Sequence, residues 1–247
     1  MNFKSLLLIL LYFYTLFGNA QGIKVEYEAI PLNHASLILK LEGNAKYKDR
    51  MIQMEKKVNE VLSKIPFFVV ANSKKYQFSY KEIIEKDGNQ NLINLAISKV
   101  LEGESIFVDL KSESGYYSAS DLPFIRKVSF NSVCWEITKE SKYILGVKVY
   151  KAISTISNSE SEYKMLVPNE AWFAPELSLK GGPTAYGSLP GLILELSTPA
   201  VTFKATDIKT GDFKVPLMEV NGKEIKTHEE FVAYYDEWNK KNMGRTN

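Results

Sequence analysis

Between Phe67 and Pro168 the chain is a succession of short segments rich in β-branched and aromatic residues: FFVVA, KYQFSYKEI, IFVDL, GYYSAS, FIRKVSF, VCWEIT, YILGVKVYKAIS and YKMLVP. Gly, Asn, Ser or Pro clusters separate them at roughly eight-to-twelve-residue intervals, the spacing of an antiparallel sheet laid down strand after strand. Before this region, IKVEYEAI sets Ile23, Val25, Tyr27 and Ala29 against Lys24, Glu26 and Glu28, the period of a half-buried strand. SLILKLEG at 36–43 repeats that alternation and is expected to form a second strand. Two stretches break the pattern. From Ala45 to Ile65, Met51, Met54, Val58, Val61, Leu62 and Ile65 recur at spacings of three and four, which predicts an amphipathic helix stopped by Pro66. The methionines in that stripe face a core more readily than a binding groove. Thr227, with Glu230 three positions on and Phe231, Tyr234, Tyr235 and Trp238 following, opens a second helix through a capping box. Residues 86–105 fit a short helix or a loop. No linker or repeat divides the chain, so residues 21–247 are expected to form one α+β domain with an early and a C-terminal helix, unlike a parallel nucleotide-binding sheet.

Residues 1–20 combine Lys4, an apolar run from Leu6 to Phe17 and the small residues Gly18 and Ala20, the anatomy of a cleaved secretory leader. The run is too short to span a bilayer, no stop-transfer cluster follows, and Gln21 offers no thiol for lipidation. The expectation is a periplasmic or secreted protein without a membrane span after cleavage. Lys4 is the only charge in the leader, so the chain's 31 basic residues become 30 against 29 acidic ones. That balance gives no reason to expect nucleic acid or an anionic membrane as partner. Cys134 is the sole cysteine, so no intramolecular disulfide forms, and its place beside Trp135 reads as a small buried apolar position.

Motifs for chemistry are scarce. His34 and His228 lie far apart, no His/Cys/Asp/Glu spacing matches a metal set, and loop acids such as Asp207 and Asp212 read as solvated. No cofactor fingerprint is present. Around Ser188 a nucleophile elbow would need Gly two residues before and after, where Tyr186 and Pro190 stand. The residues therefore read as those of a protein that is not an enzyme.

Pro190-Gly191 prescribes shape. Proline sets φ near −65° for the second position of a type II turn and glycine takes the positive φ of the third, so Leu189, Pro190, Gly191 and Leu192 are expected to form a structural turn. It would launch a strand with Leu192, Leu194 and Leu196 on one face and Ile193 and Glu195 on the other. Upstream, AWFAPELSLKGGP brings Trp172 and Phe173, the Pro175 break and a Gly-Gly-Pro bend.

The stretch WFAPELSLKGGPTAYGSLPGLILEL resembles the hallmark region of the GLPGLI family, exported bacterial proteins of uncharacterised function. Trp135, Gly146 and Lys151-Ala152 are similar to that family's upstream pattern. Ser188 replaces the motif's first Gly, and Val149 stands where the family often has Cys. The resemblance implies an exported protein and, by analogy with lipoprotein carriers, a curved, largely antiparallel sheet shaped as an open half-barrel. On this reading the protein is non-catalytic and binds a hydrophobic small molecule or an envelope protein. An aromatic surface loop carrying Trp172, Phe173, Tyr186 and Ser188 would be its ligand-binding site. The alternatives are an interaction partner of an outer-membrane transporter, or an exported hydrolase using paired carboxylates or Ser188 with His228.

Overall fold

The computed structural model describes residues 22–83, 90–101, 104–118, 122–129, 133–155, 167–185, 187–218 and 220–243. The leader expected over 1–20, and all but the end of YKMLVP, lie outside them. The strands are β1 (Gly22–Pro31), β2 (Phe67–Ala71), β3 (Lys75–Tyr80), β4 (Ser105–Asp109), β5 (Ser114–Ser118), β6 (Phe124–Ser129), β7 (Trp135–Ile144), β8 (Val147–Ser154), β9 (Glu170–Ala174), β10 (Leu192–Ser197), β11 (Val201–Gly211) and β12 (Glu224–Lys226). They form one open sheet of order β12-β6-β5-β4-β3-β2-β1-β11-β10-β9-β8-β7. All its strand pairings are antiparallel except β12 with β6. The fold is thus the expected α+β arrangement with a curved, largely antiparallel sheet.

The curvature follows from one loop. In a flat sheet the six steps from β5 to β10, at about 4.8 Å each, would separate those strands by roughly 29 Å. Yet Gly181 accepts the Ile193 N–H of β10 at 2.8 Å, while Ala185 packs so closely on β5 that a Cβ at Gly115 would lie 2.8 Å from its Cβ. Four residues of chain span at most about 14 Å, so the sheet must curl to bring the two strands within reach. On the way the Tyr76 hydroxyl of β3 donates to the Thr184 carbonyl at 3.0 Å, and the Tyr27 hydroxyl donates to the Ile193 carbonyl at 2.6 Å. Both tyrosines are fully buried, and burial pushes both phenols well above their ordinary value.

The inner face carries the main core. Phe67 stacks on Phe78 at 5.7 Å, and Phe203 meets both edge-on at 5.1 and 5.2 Å. Helix α2 (Ala45–Leu62) covers it with Val58 and Leu62, followed by Ile65; helix α3 (Gln90–Ser98) adds Ile93, Ala96 and Ile97. Each fully buried aliphatic side chain contributes about 1.5–3 kcal/mol. The Asn44 carbonyl oxygen Oδ1 caps α2 by accepting the Tyr47 N–H at 2.9 Å, and within the ambiguous 86–105 stretch α3 makes residues 90–98 a helix.

At the far end, α4 (His228–Met243) opens through the expected capping box: the Thr227 N–H donates to Glu230 Oε2 at 2.7 Å, and the Glu230 N–H to Thr227 Oγ1 at 3.3 Å. Phe124 meets Phe231 and Tyr234 edge-on, and the Arg126 guanidinium lies between the Tyr117 and Phe231 rings, 4.4 and 4.7 Å from their centroids.

Four local expectations change. SLILKLEG is not a strand: Asn33 Oδ1 accepts the Ala35 N–H at 2.8 Å and a short helix, α1 (Ala35–Ile38), follows. Of its apolar residues only Ile38 is buried, so there is no sheet face for the alternation to fill. Second, Gly191 does not have a positive φ. Its N–H donates to the Leu189 carbonyl at 2.9 Å, a tighter three-residue turn around Pro190. Glycine is needed there because a Cβ would sit 2.6 Å from the Ala174 carbonyl. Third, a bulge between Ile193 and Glu195 splits the leucines: Leu192 and Leu194 face the main core, while Leu196 joins Ile193 in the cluster on the other face. Fourth, Cys134 is exposed.

Candidate functional site

Trp172 and Phe173 are consecutive on β9, so the pleat sends their side chains to opposite faces. They belong to a strand and not to a surface loop. Trp172 packs with the main core; the Lys142 ammonium lies 4.1 Å from its ring centroid and that of Lys151 5.7 Å. Its Nε1–H donates to Glu170 Oε1 at 2.8 Å. Lys142 bridges both carboxylate oxygens of Glu195 at 2.9 Å, and Lys151 pairs with Glu170 at 2.9 Å and Glu140 at 3.5 Å. The Glu170 hydrogen bond holds Lys151 above its ordinary value. Phe173 is buried with Leu189 and Ile193 on the other face. Ser188 is half-buried, and Tyr186 lies outside the described residues. Among the described residues of this set, Trp172 and Phe173 are buried on opposite faces of β9.

A different cluster gathers where α1, α2, α3 and the β10–β11 turn meet. Pro31 ends β1, and the turn after it delivers His34 to the inner stripe of α2, where Glu55 and Asn59 sit one turn apart. The His34 backbone N–H donates to Glu55 Oε1 at 3.0 Å, and the ring Nδ1 contacts the same oxygen at 2.9 Å. The ring's Nε2 lies 2.9 Å from the Pro199 carbonyl oxygen. Lys99, just past α3, reaches Glu55 Oε1 at 3.4 Å and donates to Asn59 Oδ1 at 2.6 Å. Both ring nitrogens thus lie within hydrogen-bond distance of an oxygen. Burial alone would raise the Glu55 carboxyl; the hydrogen bonds from the His34 backbone and ring and the Lys99 ammonium outweigh it and hold the group below its ordinary value.

Beside this cluster runs a groove of about 380 Å³ between α2 and α3, lined by Ile38, Met51, Met54, Val58 and Leu95, with Glu55, Ser98 and Lys99 at its polar side. Met54 also borders a second depression, of about 470 Å³, formed with Lys46, Asp49, Arg50, Gln53 and Lys57. The sequence signal for the cluster was a carboxylate and an amide inside an apolar stripe, at Glu55 and Asn59 between Met51 and Leu62. Its partners, His34 and Lys99, come from distant segments and carry no mark of their own. Among the described residues, no three His, Cys, Asp or Glu side chains are grouped to hold a metal ion, and no helix is long and apolar enough to cross a bilayer.

Comparison with known proteins changes the functional frame. No curated protein matches the chain. Among solved structures it is similar to PNGF-II in two crystal forms, at TM-score 0.49 in each. Identity is 17% and 19%, over 87% and 88% of this chain but 32% and 33% of those chains, so the chain spans about a third of their length. It also shows a likeness to an uncharacterised conserved protein from Thermus thermophilus, with TM-score 0.34 and 6% identity over 91% of this chain and 99% of that one. The family model that matches is described as "N-glycanase peptide, N-terminal domain" and aligns with residues 52–236. That span contains the whole 172–196 stretch on which the GLPGLI resemblance rested, and it overturns that resemblance. The expectation of a non-catalytic protein for a hydrophobic ligand or envelope partner falls with it, because the matching family is named for an N-glycanase. With residues 52–236 making up most of its length, the chain belongs to the N-glycanase peptide, N-terminal domain family.

Proposed function

We propose that the chain acts in the release of N-linked glycans, handling N-glycosylated polypeptide as its substrate class. The observation that carries this reading is the family match over residues 52–236. The reaction is hydrolysis of the amide that joins the glycan to asparagine. Water oxygen bonds to the side-chain carbonyl carbon, the carbon–nitrogen bond breaks, and the nitrogen leaves with the sugar as a glycosylamine, converting asparagine to aspartate. A leader of the kind read in residues 1–20 would deliver the protein outside the cytoplasm, to extracellular or periplasmic glycoproteins.

The described polar cluster enters this proposal as scaffold. An acid–base pair for amide hydrolysis must offer a free nitrogen or oxygen to the substrate. His34 instead spends its outer nitrogen on the Pro199 carbonyl, and Glu55 receives three donor groups. These residues hold α1, α2, α3 and the β10–β11 turn in register, fixing the helical cover of the half-barrel.

The test uses the full chain and a synthetic N-glycopeptide beside the same peptide without its glycan. The expected result is conversion of the glycosylated asparagine to aspartate by mass spectrometry, or calorimetric binding of the glycopeptide well above that of the bare peptide. An unchanged glycopeptide that binds no better than its bare twin would overturn the proposal.

A further inference from the structure

The end of the half-barrel formed by α1 and α2 exposes more apolar surface than its fold requires. Leu37, Leu39, Leu41, Tyr47, Met54 and Leu95 are each between 45% and 56% exposed; Met54 and Leu95 line the α2–α3 groove, and Leu37 and Leu39 flank Ile38, which lines it too. Scattered exposed leucines are ordinary; large apolar side chains gathered on the α1–α2 tip and in the groove beside it mark a contact surface.

Charge indicates what that surface meets. Residues 40–57 hold six basic side chains (Lys40, Lys46, Lys48, Arg50, Lys56, Lys57) against three acids (Glu42, Asp49, Glu55), a net of +3. The whole chain carries +2, so the stretch beside the leucines has a larger net positive charge than the chain as a whole. Glu55 is moreover engaged by Lys99 and His34. The basic depression of Lys46, Arg50 and Lys57 adjoins the apolar groove across Met54, which lines both.

In the leucine turn each backbone N–H from Leu37 to Leu41 has a backbone acceptor. The N–H groups of Leu37 and Ile38 donate to the His34 carbonyl, Leu39 to Ala35, Lys40 to Leu37 and Leu41 to Ile38, all at 2.8–3.1 Å. The Leu39 carbonyl accepts from Lys48 Nζ at 2.9 Å. A segment entering hydrocarbon must satisfy its backbone internally, because the apolar layer offers no partners.

We propose that the α1–α2 tip is a docking site for an anionic lipid surface: Leu37, Leu39 and Leu41 enter the acyl boundary, and Lys40, Lys46, Arg50 and Lys57 meet the phosphate headgroups. The site is independent of the N-glycan reading; it places the protein at an envelope surface whatever its substrate.

The full chain is sedimented with phosphatidylcholine vesicles and with vesicles containing phosphatidylglycerol. Binding to the anionic vesicles alone is expected, weakening as salt screens the headgroups. The double variant Leu39→Glu/Leu41→Glu should lose association about tenfold or more. Because both side chains are exposed, its circular dichroism and melting should match the parent. Lys46→Gln/Arg50→Gln should weaken binding by roughly fivefold for each charge removed. The proposal is overturned if the parent stays in the supernatant with both vesicle types. Equal binding by the leucine variant, as association driven by residues 1–20 would give, also overturns it. So does sedimentation equilibrium showing a dimer that the leucine variant dissociates, since the face would then join two copies of this chain.

Discussion

Replacing Glu55 by alanine removes the acceptor on which three groups converge: the His34 N–H at 3.0 Å, the His34 ring at 2.9 Å and the Lys99 ammonium at 3.4 Å. The Glu55 and Lys99 side chains are only 12% and 17% exposed, so water replaces the lost partner poorly. Hydrogen bonds to charged groups are worth about 1.5–3 kcal/mol, and a half-buried donor left unmet costs on the same scale. Lys99 keeps its 2.6 Å bond to Asn59, which limits the loss. The net expectation for Glu55→Ala is about 2–3 kcal/mol, below the figure for fully buried pairs, or a fall in melting temperature of roughly 4–12 °C for a domain of this size. Acidity gives an independent signature. The folded carboxyl is held below its ordinary value of 4.5, so near that pH the unfolded state binds more protons. The stabilisation is present above about pH 4.5 and is lost as pH falls through the folded value. Urea titrations of parent and Glu55→Gln should therefore show a gap at pH 7 that narrows steadily on acidification below pH 4.5. A gap unchanged down to pH 3, or Glu55→Ala unfolding with the parent at pH 7, would refute the reasoning.

Three further outcomes follow from local geometry. Gly191→Ala drives a methyl to 2.6 Å from the Ala174 carbonyl, in backbone that has no room to yield; a loss of about 1–3 kcal/mol is expected in denaturant titration. Thr227→Ala opens the α4 capping box and should cost about 1 kcal/mol, with a small drop in helical circular dichroism and no effect on the Glu55 titration. Cys134 is exposed, so a thiol reagent should label the native chain as completely as the urea-unfolded one; protection in the native state would contradict the placement.

The legible parts of the fold were those where a local rule acts without competition. Both members of the Thr227–Glu230 capping box lie within one turn and the α2 period placed Val58 and Leu62 on the core, so period and capping residues sufficed there; Met51 and Met54, expected to face the core, instead line the α2–α3 groove. The alternation of β1 survives because its odd residues from Ile23 to Ala29 face one core throughout. Failure came wherever long-range packing set the geometry. Alternation at 36–43 looked like a strand, but nothing lies alongside to pair or cover it. The period of β10 was broken by a bulge that only its pairing with β9 imposes. The turn at 190–191 takes its shape from the Ala174 backbone pressed against it. The His34–Glu55–Lys99 cluster joins residues 21 and 44 positions apart, a separation that sequence pattern does not register.

The same argument explains why the aromatic stretch misled. Trp172, Phe173 and the Gly-Gly-Pro bend looked like a recognition loop because bulky rings and bends together often mark one. In the structure these residues close the half-barrel instead. Trp172 and Phe173 plug opposite faces of β9, and the chain after β9 crosses from Leu192 to Gly115, pinned at Thr184 by the Tyr76 hydroxyl and sealed by Ala185. Among the apolar residues left exposed are the leucines of the α1–α2 tip, which have no sheet to cover and stand beside the net positive stretch at residues 40–57. Whole-chain charge balance concealed that asymmetry because the acidic residues neutralising it lie elsewhere on the fold. Composition averages over a surface, whereas a partner meets one side of it.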